Sequence, residues 1–188
     1  MEDRFGVSTG TEAVERRRVK NWGWGAMKIT VVAVGTIKEK YVQQGIDDYV
    51  KRLRPYASVE IVEVKEEKAP ERLSAAEEAQ VREREGRRLL QRLPAPSPAT
   101  KVIVLDLRGK QFSSEEVASL LGHWATYGTS HWYVVIGGSL GLSEQVRERA
   151  DLLWSFSRLT FPHQLMRLMV LEQLYRAFKI LRGETYHK

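Results

Sequence analysis

Two stretches of this 188-residue chain place glycine and polar residues where a ligand could meet them. The first is Ile136-Gly137-Gly138-Ser139-Leu140-Gly141-Leu142-Ser143. Paired glycines let main chain approach a bound molecule and leave N–H groups facing it. The same string also suits a tight strand-to-helix turn with no ligand. The second is Ser155-Phe156-Ser157-Arg158-Leu159-Thr160-Phe161-Pro162-His163. Both lie between a predicted strand and a predicted helix, and Leu105-Asp106 closes a third predicted strand. In open α/β sheets ligands gather outside the carboxyl ends of strands, so these three strand ends can wall one pocket. His163, near a predicted helix start, reads as a structural polar group rather than a proton carrier.

Other chemistries lack their residues. There is no G-x-x-x-x-G-K-[ST] for a phosphate loop. Gly35-Thr36-Ile37-Lys38 follows the first strand, where a dinucleotide fold needs G-x-G-x-x-G. No G-x-S-x-G elbow occurs. His123, His131, His163 and His187 are scattered, with no carboxylate at metal-site spacing, so no metal is expected. The chain has no cysteine, which removes disulfides and thiolate sites and is compatible with a reducing cytoplasm.

The elements that must position these stretches alternate. Lys28–Val34 is apolar and β-rich, a buried strand. Lys38–Leu53 has helical spacing and stops before Pro55. Ser58–Val64 alternates as a second strand. Ser74-Ala75-Ala76-Glu77 is a capping box opening a charged helix to about Leu93, and Pro94–Pro98 is a stiff connector. Strand Lys101–Asp106, a helix capped by Ser113 and running to about Tyr127, strand Trp132–Ile136, a short helix capped by Ser143, strand Leu152–Ser157 and a helix from Pro162 to about Leu181 complete the pattern. Such alternation predicts an α/β fold, a mainly parallel sheet with helices on both faces. The last helix is apolar nearly all round. A small domain has too little core to wrap such a helix, so half of it is expected to meet a second subunit.

Residues 1–26 carry no helical or strand period, and the domain is expected to span 27–188. Trp22-Gly23-Trp24-Gly25 is encoded by a G-rich tract directly before Met27, as a translated ribosome-binding site would be. Met27 is therefore the expected start; the alternative is a basic arm (Arg16, Arg17, Arg18, Lys20) that touches RNA. No h-region of a secretory signal is present, and no apolar run approaches the roughly 20 residues of a membrane helix. The net charge of +6 is concentrated late. From Arg158 onward stand Arg158, Arg167, Arg176, Lys179, Arg182 and Lys188 against Glu172 and Glu184. A local excess of this kind attracts RNA or coats a solvated helix face.

Val135-Ile136-Gly137-Gly138-Ser139, Leu159-Thr160-Phe161-Pro162-His163-Gln164-Leu165-Met166-Arg167, Glu172–Ile180 and the terminal Tyr186-His187-Lys188 resemble, in order and spacing, the RlmH family of SPOUT-class methyltransferases. Met27–Gly35 and Glu63–Pro70 fit as well, so the resemblance covers Met27–Lys188. It implies a C-terminal trefoil knot, an exception to the rule that chains are unknotted. It further implies a cytoplasmic homodimer that methylates N3 of a pseudouridine in 23S rRNA on the assembled 70S ribosome. S-adenosylmethionine is the implied methyl donor, held by Leu105, Gly137, Gly138, Phe156, Ser157, Arg158, Leu159, Thr160 and Phe161 with Pro162 adjoining. Tyr186, His187 and Arg176 are the implied catalytic, substrate-side residues.

That chemistry makes sense residue by residue. In-line methyl transfer needs alignment and exclusion of water, and positioning carries much of the rate. The imide N3 must lose its proton, which a neutral histidine, His187, can accept. Arg176 or Arg182 can stabilise charge on the base's carbonyl oxygens. Without the resemblance, Tyr186-His187-Lys188 reads as a frayed terminus. Two other functions stay open at this point: a non-catalytic RNA-binding or ribosome-associated module, and a small nucleotide-binding protein, which lacks a phosphate loop.

Overall fold

The structure is a computed structural model and describes residues 27–186 apart from 69 and 71. The extension 1–26, His187 and Lys188, to which sequence expectations attach, lie outside the described residues. Five strands, β1 (Lys28–Val34), β2 (Ser58–Val64), β3 (Thr100–Gln111), β4 (His131–Ile136) and β5 (Leu152–Ser155), form one sheet in the order β2-β1-β4-β3-β5. Every ladder is parallel. Among the described residues five helices alternate with them: α1 (Lys40–Leu53), α2 (Ala75–Leu90), α3 (Ser114–Thr126), α4 (Glu144–Glu148) and α5 (His163–Arg182).

Strand side chains point alternately to the two faces, and β1 shows how this divides the core. Ile29, Val31 and Ala33 pack with α1, α3 and α5, through Ile46, Leu53, Leu121, Leu171, Leu174 and Phe178. Val32 and Val34 pack on the other face with Leu89 of α2 and Val146 of α4. Helices therefore cover both faces. The expected capping box of Ser74 with Glu77 forms, and the expected cap Ser113 forms a second one with Glu116, each contributing about 1 kcal/mol. The last helix closes at Gly183 (φ 65°), where Gly183 and Glu184 N–H groups donate back to Ile180 and Lys179 carbonyls, a Schellman end.

Three local expectations need correction. Ser143 occupies an N-cap position but its side chain makes no capping bond; its hydroxyl lies against Gly86 of α2, where a Cβ would stand 2.2 Å away. Strand β5 ends at Ser155, because the Ser155 hydroxyl donates to the Ser157 carbonyl and turns the chain. Strand β3 runs on to Gln111, and its register against β5 shifts between Leu105 and Lys110, both of which pair with Trp154. Asp106–Gly109 is thus pushed out of the ladder as a lip. Gly109 permits this: a Cβ there would lie 2.6 Å from the Leu153 carbonyl.

The basic excess of the C-terminal segment is largely spent inside the molecule. Arg167 is fully buried and donates to the carbonyls of Val34 (2.8 Å) and Gly35 (2.6 Å) and to the Glu63 carboxylate (2.6 Å). It ties the start of α5 to the end of β1. Arg176 pairs with Glu172, and Lys179 and Arg182 with Glu184.

Candidate functional site

The first part of β3, which ends at the register shift after Leu105, and β4 and β5 open their carboxyl ends into one cavity of about 780 Å³, within the roughly 300–1,000 Å³ usual for small-molecule sites. Its first wall is Leu105 with the lip residues Asp106 to Arg108. The second is the loop Gly137–Leu142, and the third is Trp154–Ser157 with Leu159–His163 and Met166. Of the nine residues named for cofactor binding, Leu105, Gly137, Gly138, Phe156, Ser157, Leu159, Thr160 and Phe161 line this cavity; Arg158 does not. The Gly138 carbonyl accepts the Gly141 N–H at 3.1 Å, closing the glycine loop as a turn. The third wall is pinned by the Leu159 N–H donating to the Ser157 hydroxyl at 3.0 Å and by Trp154 against Phe156, centroids 4.5 Å apart.

A Cβ at Gly137 would lie 2.8 Å from Leu142, an anchor of the second core cluster, so a side chain at 137 displaces the loop rather than filling the cavity. Sequence reasoning missed Arg108 and Arg147 altogether. Asp106 accepts from the Arg147 Nε at 2.6 Å and the Arg108 N–H at 2.8 Å, and Glu144 bridges both guanidinium groups. Burial pushes the Asp106 carboxyl up, but the Arg108 N–H and the Arg147 guanidinium outweigh it, and the group stays below the usual carboxylate range. The only sequence signal was an acid at a strand end with arginines downstream. What the walls offer is apolar surface for a flat ring and main-chain groups from two loops, beside a lip held in shape by the Asp106 carboxylate.

His163 lies on the cavity wall with its Nε2 buried and without a hydrogen-bond partner. Burial pushes the imidazole below its ordinary value; Glu66 draws it up, and Arg167 and Lys38 press it further down. It is therefore neutral at pH 7. The unfolded chain takes up this proton before the native state does, so native stability falls as pH drops below about 6.5. Urea unfolding at pH 7.5 and 5.5 should show a larger loss for the natural protein than for His163→Gln; equal losses would show that His163 does not contribute.

The substrate-side residues stand elsewhere. Arg176 lies ten residues along α5 from Met166, the last residue of that helix to line the cavity, about 15 Å at 1.5 Å per residue. The Arg176 guanidinium sits 4.8 Å over the Tyr186 ring. The Tyr186 hydroxyl lies 3.2 Å from both the Tyr49 hydroxyl and the Glu172 carboxylate. Burial first, then the Tyr49 bond and the Glu172 charge, push the Tyr186 phenol well above its ordinary value. Arg176 and Tyr186 are thus brought together, away from their own chain's cavity.

Residues 27–187 match the family model described as "Predicted SPOUT methyltransferase". The chain is 56% identical to the ribosomal RNA large subunit methyltransferase H of Carboxydothermus hydrogenoformans over 162 residues, 86% of this chain and 100% of the relative. The proteins of the same name from Desulfitobacterium hafniense and Bacillus thuringiensis are 52% and 55% identical over 162 residues, again 86% of this chain, covering 99% and 100% of the relatives. A cavity at three adjoining strand ends and an alignment spanning the described domain lead to one conclusion: this chain belongs to the SPOUT methyltransferase family, in the group of the ribosomal RNA large subunit methyltransferases H.

Proposed function

We propose that this methyltransferase acts on N3 of a pseudouridine in 23S rRNA, on the assembled 70S ribosome in the cytoplasm, with S-adenosylmethionine as donor. The supporting observation is the convergence of the three strand ends on one cavity. Its residues fit the cofactor. Leu105, Ile136, Leu142, Trp154 and Phe156 offer an apolar bed for adenine, and the glycine loop and the β3 lip offer main chain for its polar atoms. S-adenosylmethionine bound there supplies the methyl group. The trefoil knot belongs to this proposal, involving the segment that carries the glycine loop, the Ser155–His163 loop and α5.

We also propose that the working unit is a homodimer whose site is shared. Leu165 and Met169 are partly buried yet stand outside both core clusters. With Glu172 and Arg176 they fall on one stripe of α5, at i, i+4, i+7 and i+11. A second copy seated on this stripe would bring its own Arg176 and Tyr186 towards the cavity, which the separation of about 15 Å along α5 denies them within one chain. His187 then takes the imide proton, and Arg176 faces the developing charge on the base.

Mass spectrometry of rRNA from a strain lacking this gene should show one unmethylated pseudouridine, restored by a chain that starts at Met27. Failure of the short chain alone would assign a role to residues 1–26; an unchanged rRNA would end the proposal. Calorimetry should find stoichiometric S-adenosylmethionine, where a non-catalytic RNA-binding module would give none.

A further inference from the structure

Helix α2 does not line the cavity, yet two consecutive residues of it touch the glycine loop and the start of α4 that follows it. Gly86 receives Ser143 and Val146. Glu85 receives Gly138: a Cβ at Gly138 would lie 2.7 Å from the Glu85 Oε2, with Val34 Cγ1 at 3.1 Å on another side. Gly138 is therefore wedged between an acid of α2 and the end of β1. Glu85 is only 4% exposed, an unusual place for a carboxyl. Its other oxygen accepts the Glu67 N–H at 2.9 Å. Glu67 is itself clamped to α2, by Arg84 at 3.1 Å and by Arg88. One buried side chain thus joins the loop after β2 to the turn that forms the second wall of the cavity.

Taking that cavity as the S-adenosylmethionine site, we propose that Glu85 is a positioning residue for methyl transfer: its carboxyl, held by the Glu67 main chain, sets the place of Gly138 and so the shape of the cofactor loop. The position disfavours charge. Burial first, then the charges of Glu66 and Glu67, push the Glu85 carboxyl above its ordinary range against the Glu67 N–H and Arg88. Glutamine has the same length, keeps an acceptor for the Glu67 N–H and carries no charge. Alanine keeps α2 helical but leaves the floor of the loop open. The residue escapes a reading of the sequence because Glu85 stands in a helix crowded with exposed acids and bases.

The test is a cycle of four proteins: natural, Gly138→Ala, Glu85→Ala and the double variant, with S-adenosylmethionine affinity read by calorimetry. Gly138→Ala drives its methyl into the carboxyl and should weaken binding roughly tenfold or more. Glu85→Ala should weaken it several-fold, and Glu85→Gln should hold most of the affinity. In the double variant the alanine methyl enters the vacated space, so binding should stay within a few-fold of Glu85→Ala alone. Losses that simply multiply would overturn the proposal. Amide exchange of residues 137–142 without ligand should rise in Glu85→Ala and not in Glu85→Gln; unchanged exchange beside weakened binding would overturn it too. Absence of binding by the natural protein would instead defeat the assignment of the cavity, and the exchange comparison would still decide whether Glu85 positions the loop.

Discussion

Removing Tyr186-His187-Lys188 should collapse methyl transfer while leaving S-adenosylmethionine affinity within a few-fold. The cavity is built from three strand ends, and the described part of the tail touches none of them. Tyr186 instead rests on Tyr49, Glu172 and Arg176, away from its own chain's cavity. If His187 accepts the imide proton, His187→Ala alone should lower single-turnover rate by about 10²–10⁴-fold with ribosome affinity intact. If it only grips RNA, the loss should move to ribosome affinity. If the site is shared between two chains, a sharper result follows. Tail-less chains mixed with Gly137→Val chains, whose cofactor loop is displaced by Leu142, should regain activity, because a hybrid dimer pairs one sound cavity with one sound tail. No recovery after exchange of subunits would place cavity and tail in the same chain.

Met169→Glu should give a monomer without activity. The side chain lies on the stripe of α5 that the core leaves partly open, between Leu165 and Glu172. A second copy on that stripe would bury the introduced carboxylate beside Glu172 without a partner, at a cost of about 3–5 kcal/mol. That corresponds to roughly 10²–10⁴-fold in dimer Kd. Light scattering at micromolar concentration should report the monomer, and calorimetry should still detect cofactor binding if the cavity is complete within one chain. A dimer of natural stability would move the interface to another face.

Regular elements were legible in the sequence wherever the signal was local. Ser74 with Glu77 and Ser113 with Glu116 announce helix starts through bonds that span three residues. Period-two alternation marks β2. Eight of the nine cofactor-site candidates meet around one cavity because strand ends in a parallel sheet share an edge. What escaped depends on distant partners. The lip Asp106–Gly109 leaves the ladder because of Trp154, some fifty positions on. Arg167 reads as part of a basic surface but is consumed by two carbonyls at the end of β1 and by Glu63. Ser143 has the residue type of a cap, yet its hydroxyl is turned against Gly86. The separation of Arg176 from the cavity follows from the length of α5, which the sequence did show, but its meaning needs the fold.

The sheet order also bears on how the chain is made. Strand β1 sits between β2 and β4, and β4 begins at residue 131, about a hundred residues after β1 begins at residue 28. At synthesis rates of about 5–20 residues per second, roughly 5–20 seconds pass before that partner emerges. For this interval the run Ile29-Thr30-Val31-Val32-Ala33-Val34 has one hydrogen-bonding edge open, the kind of edge on which another nascent strand can dock. Non-local parallel pairing is slow even after release. Production of this small enzyme is therefore expected to depend on chaperone supply and on translation speed between residues 65 and 130 more than its finished stability would suggest.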